Sequence, residues 1–427
     1  MGHPVWLAGM ACAVSVAVYH VVFFLNGVVA RLWLLQNRGR LRRIKRLVPM
    51  QSYSFGIIVE GMDSIRRLWP EDECAVLAPR PVLGFRARDD VNRWLDQLEG
   101  RFNIFLLPSI QGLNIVRPLR LLTWPASAQK KFQSWLLPRL ATALPETEVE
   151  AFWFVADRLL PAGKHLSVGN EHYGYHVGSA LLRMRHPMPP VRLMTGARRK
   201  AGDAVRAAAR PGAAKFANLY LRQKKTSDAQ SGLRNGGPFE DYVPAIEILV
   251  QRGFTILING DQVVPAALAT RWPGQLLDAR ICGLDRGLFS LYAATEADIS
   301  IGEPGGGFWL PTMNSIPSLM INAFPHYMGR EFTTLLFKRA TSLDGRALPP
   351  ATLLRDRLYD HECTDLRIDC NTPEEIAAAL EEFLEFLEAR APYEIPPGIE
   401  PLLPWDAFAR ICKSRYSPVW LNRAAQA

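Results

Sequence analysis

Residues 297–309 read ADISIGEPGGGFW. A β-branched run closes at Gly302-Glu303, three glycines follow at 305–307, and a second apolar run opens at Phe308. That order predicts a buried strand, Ala297–Glu303, feeding a helix through a turn where the backbone itself can approach a ligand. In open α/β sheets such turns stand at the carboxyl ends of parallel strands, where ligands bind. A helix N-terminus there offers unpaired N–H groups and partial positive charge to a phosphate. A tight strand-to-helix connection alone would also use glycine, so the neighbouring segments have to decide.

They repeat the pattern. FANLYLR (Phe216–Arg222), FTILING (Phe254–Gly260), QLLDA and SLMINA (Ser318–Ala323) read as buried strands, alternating with the helical segments FEDYVPAIEILVQRG and GLFSLYAATE. Strands alternating with helices of this length predict a parallel sheet covered on both faces. Arg222 then ends one strand on the same edge as the glycines, where its guanidinium fork suits a phosphate. Arg234 and Asn235 lie in the loop LRNGGPFEDY before the next helix. Asp261 closes another strand and suits either a ribose hydroxyl or a helix cap, Glu303 ends the strand that opens the turn, and Asn322 lies near the end of a further one. The expected donor-binding set is Arg222, Arg234, Asn235, Asp261, Glu303, Gly305, Gly306, Gly307 and Asn322.

A second βα series precedes it: YSFGIIVE (Tyr53–Glu60), CAVLAP (Cys74–Pro79) and FNIFLLP (Phe102–Pro108) as strands, with RDDVNRWLDQLEG (Arg88–Gly100) as a helix. Between the series, GARRKAGDAVRAAARPGAAK is rich in Ala, Gly and Arg and poor in large apolar residues, and reads as a linker. At 427 residues, 48% hydrophobic, the chain is long enough for two cores. The expected divisions are an anchor over 1–35, a basic juxtamembrane segment over 36–50, an N-terminal α/β domain over 51–200, a linker over 201–214, a second α/β domain over 215–395, and a tail over 396–427 packing back on the first domain. NTPEEIAAALEEFLEFLEAR predicts an amphipathic helix with Asn371 or Thr372 as N-cap.

The N-terminus carries 21 uncharged residues, Val5–Leu25, followed by Arg31, Arg38, Arg40, Arg42, Arg43, Lys45 and Arg46. The length suits a membrane-spanning helix, and the basic residues after it place the rest of the chain in the cytoplasm by the positive-inside rule. The same basic cluster suits anionic lipid. Nucleic acid fits poorly, because aromatics are not interleaved with the charges. The net charge of +9 is thus concentrated rather than spread. Six scattered cysteines without a C-x-x-C pair fit a reduced compartment and no zinc site.

Absent motifs narrow the chemistry. The chain lacks G-x-x-x-x-G-K-[ST], G-x-G-x-x-G and G-x-S-x-G, which argues against a P-loop NTPase, a dinucleotide-dependent dehydrogenase and a serine hydrolase. It also lacks D-x-D, so phosphate charge would be met by arginine, backbone N–H groups and a helix dipole, with no metal and no cofactor.

The segment FANLYLRQKK…LRNGGPFEDYVPAIEILVQRGFTILINGD, followed by ADISIGEPGGGFWLPTMNSIPSLMINAFP, resembles a family of bacterial glycosyltransferases with the two-Rossmann GT-B architecture. That family's strand-Arg, "RN", "GD", glycine turn, and Pro-strand-Asn fall here on Arg222, Arg234 with Asn235, Gly260 with Asp261, Gly302 with Gly305 and Gly306, and Pro317 with Asn322. The resemblance implies two Rossmann-like domains, the second holding a nucleotide sugar, and transfer to a glycan or lipid-linked acceptor. The chain departs from the family in two places. A Ser-Gly turn is Gly-Gly here, and a Gly-His in the first strand-to-helix loop is Gly56-Ile57. With that histidine missing, the general base would fall to Glu60, Asp63 or a histidine of HLSVGNEHYGYH (His165, His172, His176), of which Glu60 and His172 are the candidates taken forward. The alternative is a non-catalytic, membrane-attached scaffold subunit of the same fold.

Overall fold

A computed structural model describes residues 5–49, 55–83, 103–110, 186–223, 233–324, 333–355, 366–389 and 415–425, with short pieces within 94–98, 136–149 and 182–183. By internal contacts the chain divides into one unit of Met1–Asp96 with Arg101–Pro161 and a second of Gln97–Gly100 with Ala162–Ala427. Both are α/β.

In the N-terminal unit the chain opens with helix α1 (Val5–Leu41) and forms β1 (Arg46–Pro49), α2 (Phe55–Leu68), β2 (Cys74–Leu83), β3 (Asn103–Ile110) and β4 (Glu148–Val149). The sheet runs β3-β2-β1-β4, parallel throughout. Leu41, Ile44, Leu47, Ala75 and Leu77 form its core with Leu136, Leu140 and Leu144. The segment expected as a strand over Tyr53–Glu60 is helix α2 from Phe55 onward. Its buried residues Ile58, Val59, Met62 and Ile65 recur at helical spacing, and the strand before it is the four-residue RLVP, too short to announce itself. Most of the helix expected over Arg88–Gly100 lies outside the described residues.

The expected membrane span is not found: among the described residues no helix is long and apolar enough to cross a membrane. Of Val5–Tyr19 only the backbone is described. In the second half of α1, Phe23, Trp33 and Leu34 pack against the unit's own core, and Ala30 and Leu41 belong to it.

The C-terminal unit opens with α3 (Thr195–Ala208), which occupies most of the expected linker. The buried face of α3 is Ala201, Gly202 and Val205, so small that the helix reads as a linker in sequence. Then follow β5 (Lys215–Leu221), a 3₁₀ turn (Phe239–Tyr242) running into α4 (Val243–Gln251), β6 (Phe254–Gly260), α5 (Ala266–Arg271), β7 (Leu276–Leu277), α6 (Arg286–Glu296), β8 (Ile299–Gly302), α7 (Gly306–Met313), β9 (Ser318–Ala323) and β10 (Thr333–Phe337). After β11 (Arg339–Ser342), α8 (Pro350–Arg355) and β12 (Leu366–Asp369) come α9 (Pro373–Ala389), β13 (Arg415–Tyr416) and α10 (Pro418–Leu421).

Seven strands form one sheet in the order β13-β10-β9-β8-β5-β6-β7, every described pairing parallel. Strands β8 and β9 are buried along their whole length, as strands covered on both faces must be. The tail was expected to pack back on the N-terminal domain. Its described end instead adds β13 beside β10, and Trp420 stacks on Phe337 and Tyr416. The strand order also fixes a switch point. From β5 the chain moves outward to β6 and β7, then returns to the other side of β5 as β8 and continues to β9 and β10. The crevice between the ends of β5 and β8 is where such sheets bind ligands.

Candidate active site

Parallel strands bring their carboxyl ends into one row. In sheet order that row carries Lys338 after β10, Asn322 near the end of β9, Glu303 after β8, Arg222 after β5 and Asp261 after β6. The registers Tyr220 to Gly302 and Leu221 to Gly260 hold Arg222, Glu303 and Asp261 side by side.

Arg222 is 6% exposed. Its Nη1 donates to Asn235 Oδ1 at 2.9 Å, and the loop 233–237 is tied back by Gly236 N–H donating to the Arg222 carbonyl at 3.0 Å. Burial, and after it the neighbouring Arg234 guanidinium, lowers the Arg222 pKa from its ordinary value. Arg234 Nε is buried with no hydrogen-bond partner among the described residues. Two guanidinium groups lie near enough to repel one another and one has an orphaned donor, a combination whose chemistry suits an anion.

The glycine turn lies beside Arg222. A Cβ at Gly305 would stand 3.3 Å from Arg222 Cδ and 2.8 Å from Tyr220 Oη. One at Gly307 would overlap the Tyr220 ring. Gly305 and Gly307 thus have a packing cause invisible in sequence: the Tyr220 ring lies on the start of α7. Burial pushes the Tyr220 phenol up to about 12. Asp261 stands half-open at the β6 end, accepting from Gln223 N–H at 3.2 Å and pairing with Arg286 at 3.1 Å.

Glu303 and Asn322 do not face solvent. Glu303 is 0% exposed; it accepts from the Arg222 backbone N–H, from Tyr242 Oη, and from Asn322 Nδ2 at 3.4 Å. Burial raises its pKa to about 7. Tyr242 Oη in turn accepts from Gly237 N–H at 3.1 Å. A Cβ at Gly236 would overlap both Glu303 Oε1 and Tyr242 Oη, so this position of "RNGG" is glycine because the loop crosses a buried carboxylate, while one at Gly237 would overlap Asp241. Asn322 takes φ +50°, tolerated by asparagine, and exchanges two 2.7 Å hydrogen bonds with Asn371. These two residues hold the edge in shape rather than lining it.

Glu60 was expected at a strand end. It sits mid-helix in α2, 1% exposed. Asp63 is equally buried and bound to Arg67 at 2.9 Å. His165, His172 and His176 lie outside the described residues. Among the described residues no cluster of His, Cys, Asp or Glu is arranged to hold a metal. Sequence reasoning missed Tyr220, Tyr242 and Lys338. Lys338 was findable, because TTLLFK repeats the strand-then-cation pattern of FANLYLR. Its Nζ donates to the Asn235 carbonyl at 2.6 Å and so braces the arginine loop from the opposite side.

No family model matches the chain, and none of the curated proteins does. Among solved structures the neighbours include a glycosyltransferase family 9 protein, heptosyltransferases and a UDP-GlcNAc 2-epimerase. The family 9 glycosyl transferase of Veillonella parvula DSM 2008 has TM-score 0.44 and 8% identity over 69% of this chain and 86% of its own. The E. coli ADP-heptose LPS heptosyltransferase II has TM-score 0.40 and 10% identity over 82% and 100%. The E. coli heptosyltransferase WaaC with ADP has TM-score 0.38 and 12% identity over 81% and 100%. All three TM-scores fall below 0.5, and the functional reading of this chain rests on its own residues.

Proposed function

We propose that the chain is a GT-B-like glycosyltransferase that moves a sugar from a nucleotide-diphosphate donor to a glycan or lipid-linked acceptor without a divalent metal. The observation that carries the proposal is the paired guanidinium cradle of Arg222 and Arg234, at the β5/β8 switch point, beside the N-terminus of α7. As the glycosidic bond breaks, negative charge grows on the leaving diphosphate. Cations and N–H groups fixed beforehand at that place strengthen their contacts as the charge develops, which lowers the barrier. Asn235 and Lys338 hold the loop that carries Arg234, and Glu303 holds the backbone of Arg222. Asp261, with Arg286, is the side chain placed to meet a ribose. The exposed basic residues after α1 favour the cytoplasmic leaflet, whose surface is anionic.

Thermal unfolding with ADP-, UDP-, GDP- and CMP-sugars, in chelator, tests the reading. One donor class should stabilise the protein by about 2–3 kcal/mol at a hundredfold excess over Kd, and Arg222→Ala should abolish that shift while the unliganded melt stays cooperative. No response to any nucleotide sugar would sink the proposal in favour of a scaffold.

A further inference from the structure

Helix α1 has two unlike faces. At about 100° per residue, Ala30, Trp33, Leu34 and Leu41 fall on one side, and these pack into the N-terminal unit's core. Val21, Phe24, Leu25, Val28, Leu32 and Leu35 fall within an arc of about 100° on the opposite side. All six are exposed, Phe24 and Leu35 at 69% each. A stripe of this kind, about four turns long and unbroken by a polar residue, is not an ordinary scatter of surface apolar side chains.

Charge says what covers it. Arg31 and Arg38 flank the stripe along one side, and Arg42 and Arg43 follow the helix end, all exposed. No acidic residue occurs in the chain before Glu60. An apolar stripe whose charged neighbours on the helix are all cations is complementary to an anionic lipid surface: side chains enter the acyl boundary while guanidinium groups meet phosphate headgroups. A spanning helix would have lipid all round, but this part of α1 has protein on one side.

We propose that the outer face of α1 between Val21 and Leu35 lies flat in the interface of an anionic membrane and docks the protein there. The proposal stands apart from the sugar-transfer reading, since none of these residues belongs to the donor edge.

The test is flotation of the full chain with vesicles of phosphatidylcholine, alone or with phosphatidylglycerol at about one third of the lipid. Binding is expected to the anionic vesicles, to weaken in high salt, and to be released by alkaline carbonate. The combined variant Phe24→Ser/Leu32→Ser/Leu35→Ser should lose at least about tenfold in partitioning, and Arg31→Gln/Arg38→Gln/Arg42→Gln a similar amount. These side chains face outward, so both variants should keep the wild-type melting temperature and any nucleotide-induced shift. Equal binding to neutral and anionic vesicles, undiminished binding by the apolar variant, or retention after carbonate extraction would each overturn flat docking. So would a stripe-dependent dimer that ignores vesicles. Loss of nucleotide response with vesicle binding intact would count against the catalytic reading alone.

Discussion

In the N-terminal unit, the charged side chains Asp63 and Arg67 lie inside helix α2 and bind each other one turn apart, 2% and 5% exposed. In the C-terminal unit, Arg222 is almost as deeply set, and the largest charge effect on it comes from another cation, Arg234, with Asp261 and Glu303 acting the opposite way. A cation closed off by a carboxylate is a structural part. One with a like charge beside it, at a strand end near a helix N-terminus, is what the proposed donor site requires. The same contrast recurs within the C-terminal unit. Glu303, next to Arg222 in the sheet, is sealed and hydrogen-bonded on all sides, and its work is to shape the edge that Arg222 presents.

The comparison breaks first in the N-terminal unit. Asp63→Ala takes the carboxylate away from a buried guanidinium and should cost about 3–5 kcal/mol, measured as a fall in urea midpoint; a loss under about 1 kcal/mol would make the pair a surface-like one. Next comes Gly236→Ala, whose methyl must displace Glu303 or Tyr242. It should destabilise by about 3 kcal/mol and remove nucleotide binding, whereas unchanged binding would show that the loop does not depend on Glu303.

Glu303 sharpens the comparison through pH. Its folded pKa, raised to about 7, exceeds the unfolded carboxyl value of 4.5. Between those values the folded state holds more protons than the unfolded chain, so the stability that the protonated group contributes is present at low pH and lost as pH rises through about 7. Glu303→Gln should flatten that slope, with a difference on the order of 2 kcal/mol between pH 5 and 8 in urea unfolding. An unaltered slope would assign the titration to another group. The smallest effect belongs to the capping box of α9. There Glu375 Oε2 accepts from Thr372 N–H at 2.8 Å, and Thr372 Oγ1 accepts from Glu375 N–H at 3.2 Å. Thr372→Ala should cost about 1 kcal/mol in thermal unfolding without touching nucleotide binding.

How much of this was legible varied with local chemistry. Strands β5, β6, β8 and β9 could be read because a parallel strand covered on both faces must be apolar throughout. The arginine and glycine ends of those strands followed, since a parallel sheet gathers its carboxyl ends on one edge. Helix α3 was hidden because its buried face is alanine and glycine, which resembles a linker in composition. Helix α2 was misread because Ile57, Ile58 and Val59 give a β-branched run at its start, while the polar stripe of Glu60, Asp63, Ser64 and Arg67 that marks helical period begins only after it.

By itself the sequence determined the α/β class, the parallel order of the C-terminal strands and the edge on which Arg222 and the glycine turn appear, because periodicity and strand ends are local properties. Only tertiary structure decided that Glu303 and Asn322 are sealed, that Gly236 and Gly307 are forced by Tyr242, Glu303 and Tyr220, and that α1 has a protein-facing and an outward face. Burial and steric overlap are set by residues far apart in the chain, and no local pattern encodes which of them will meet.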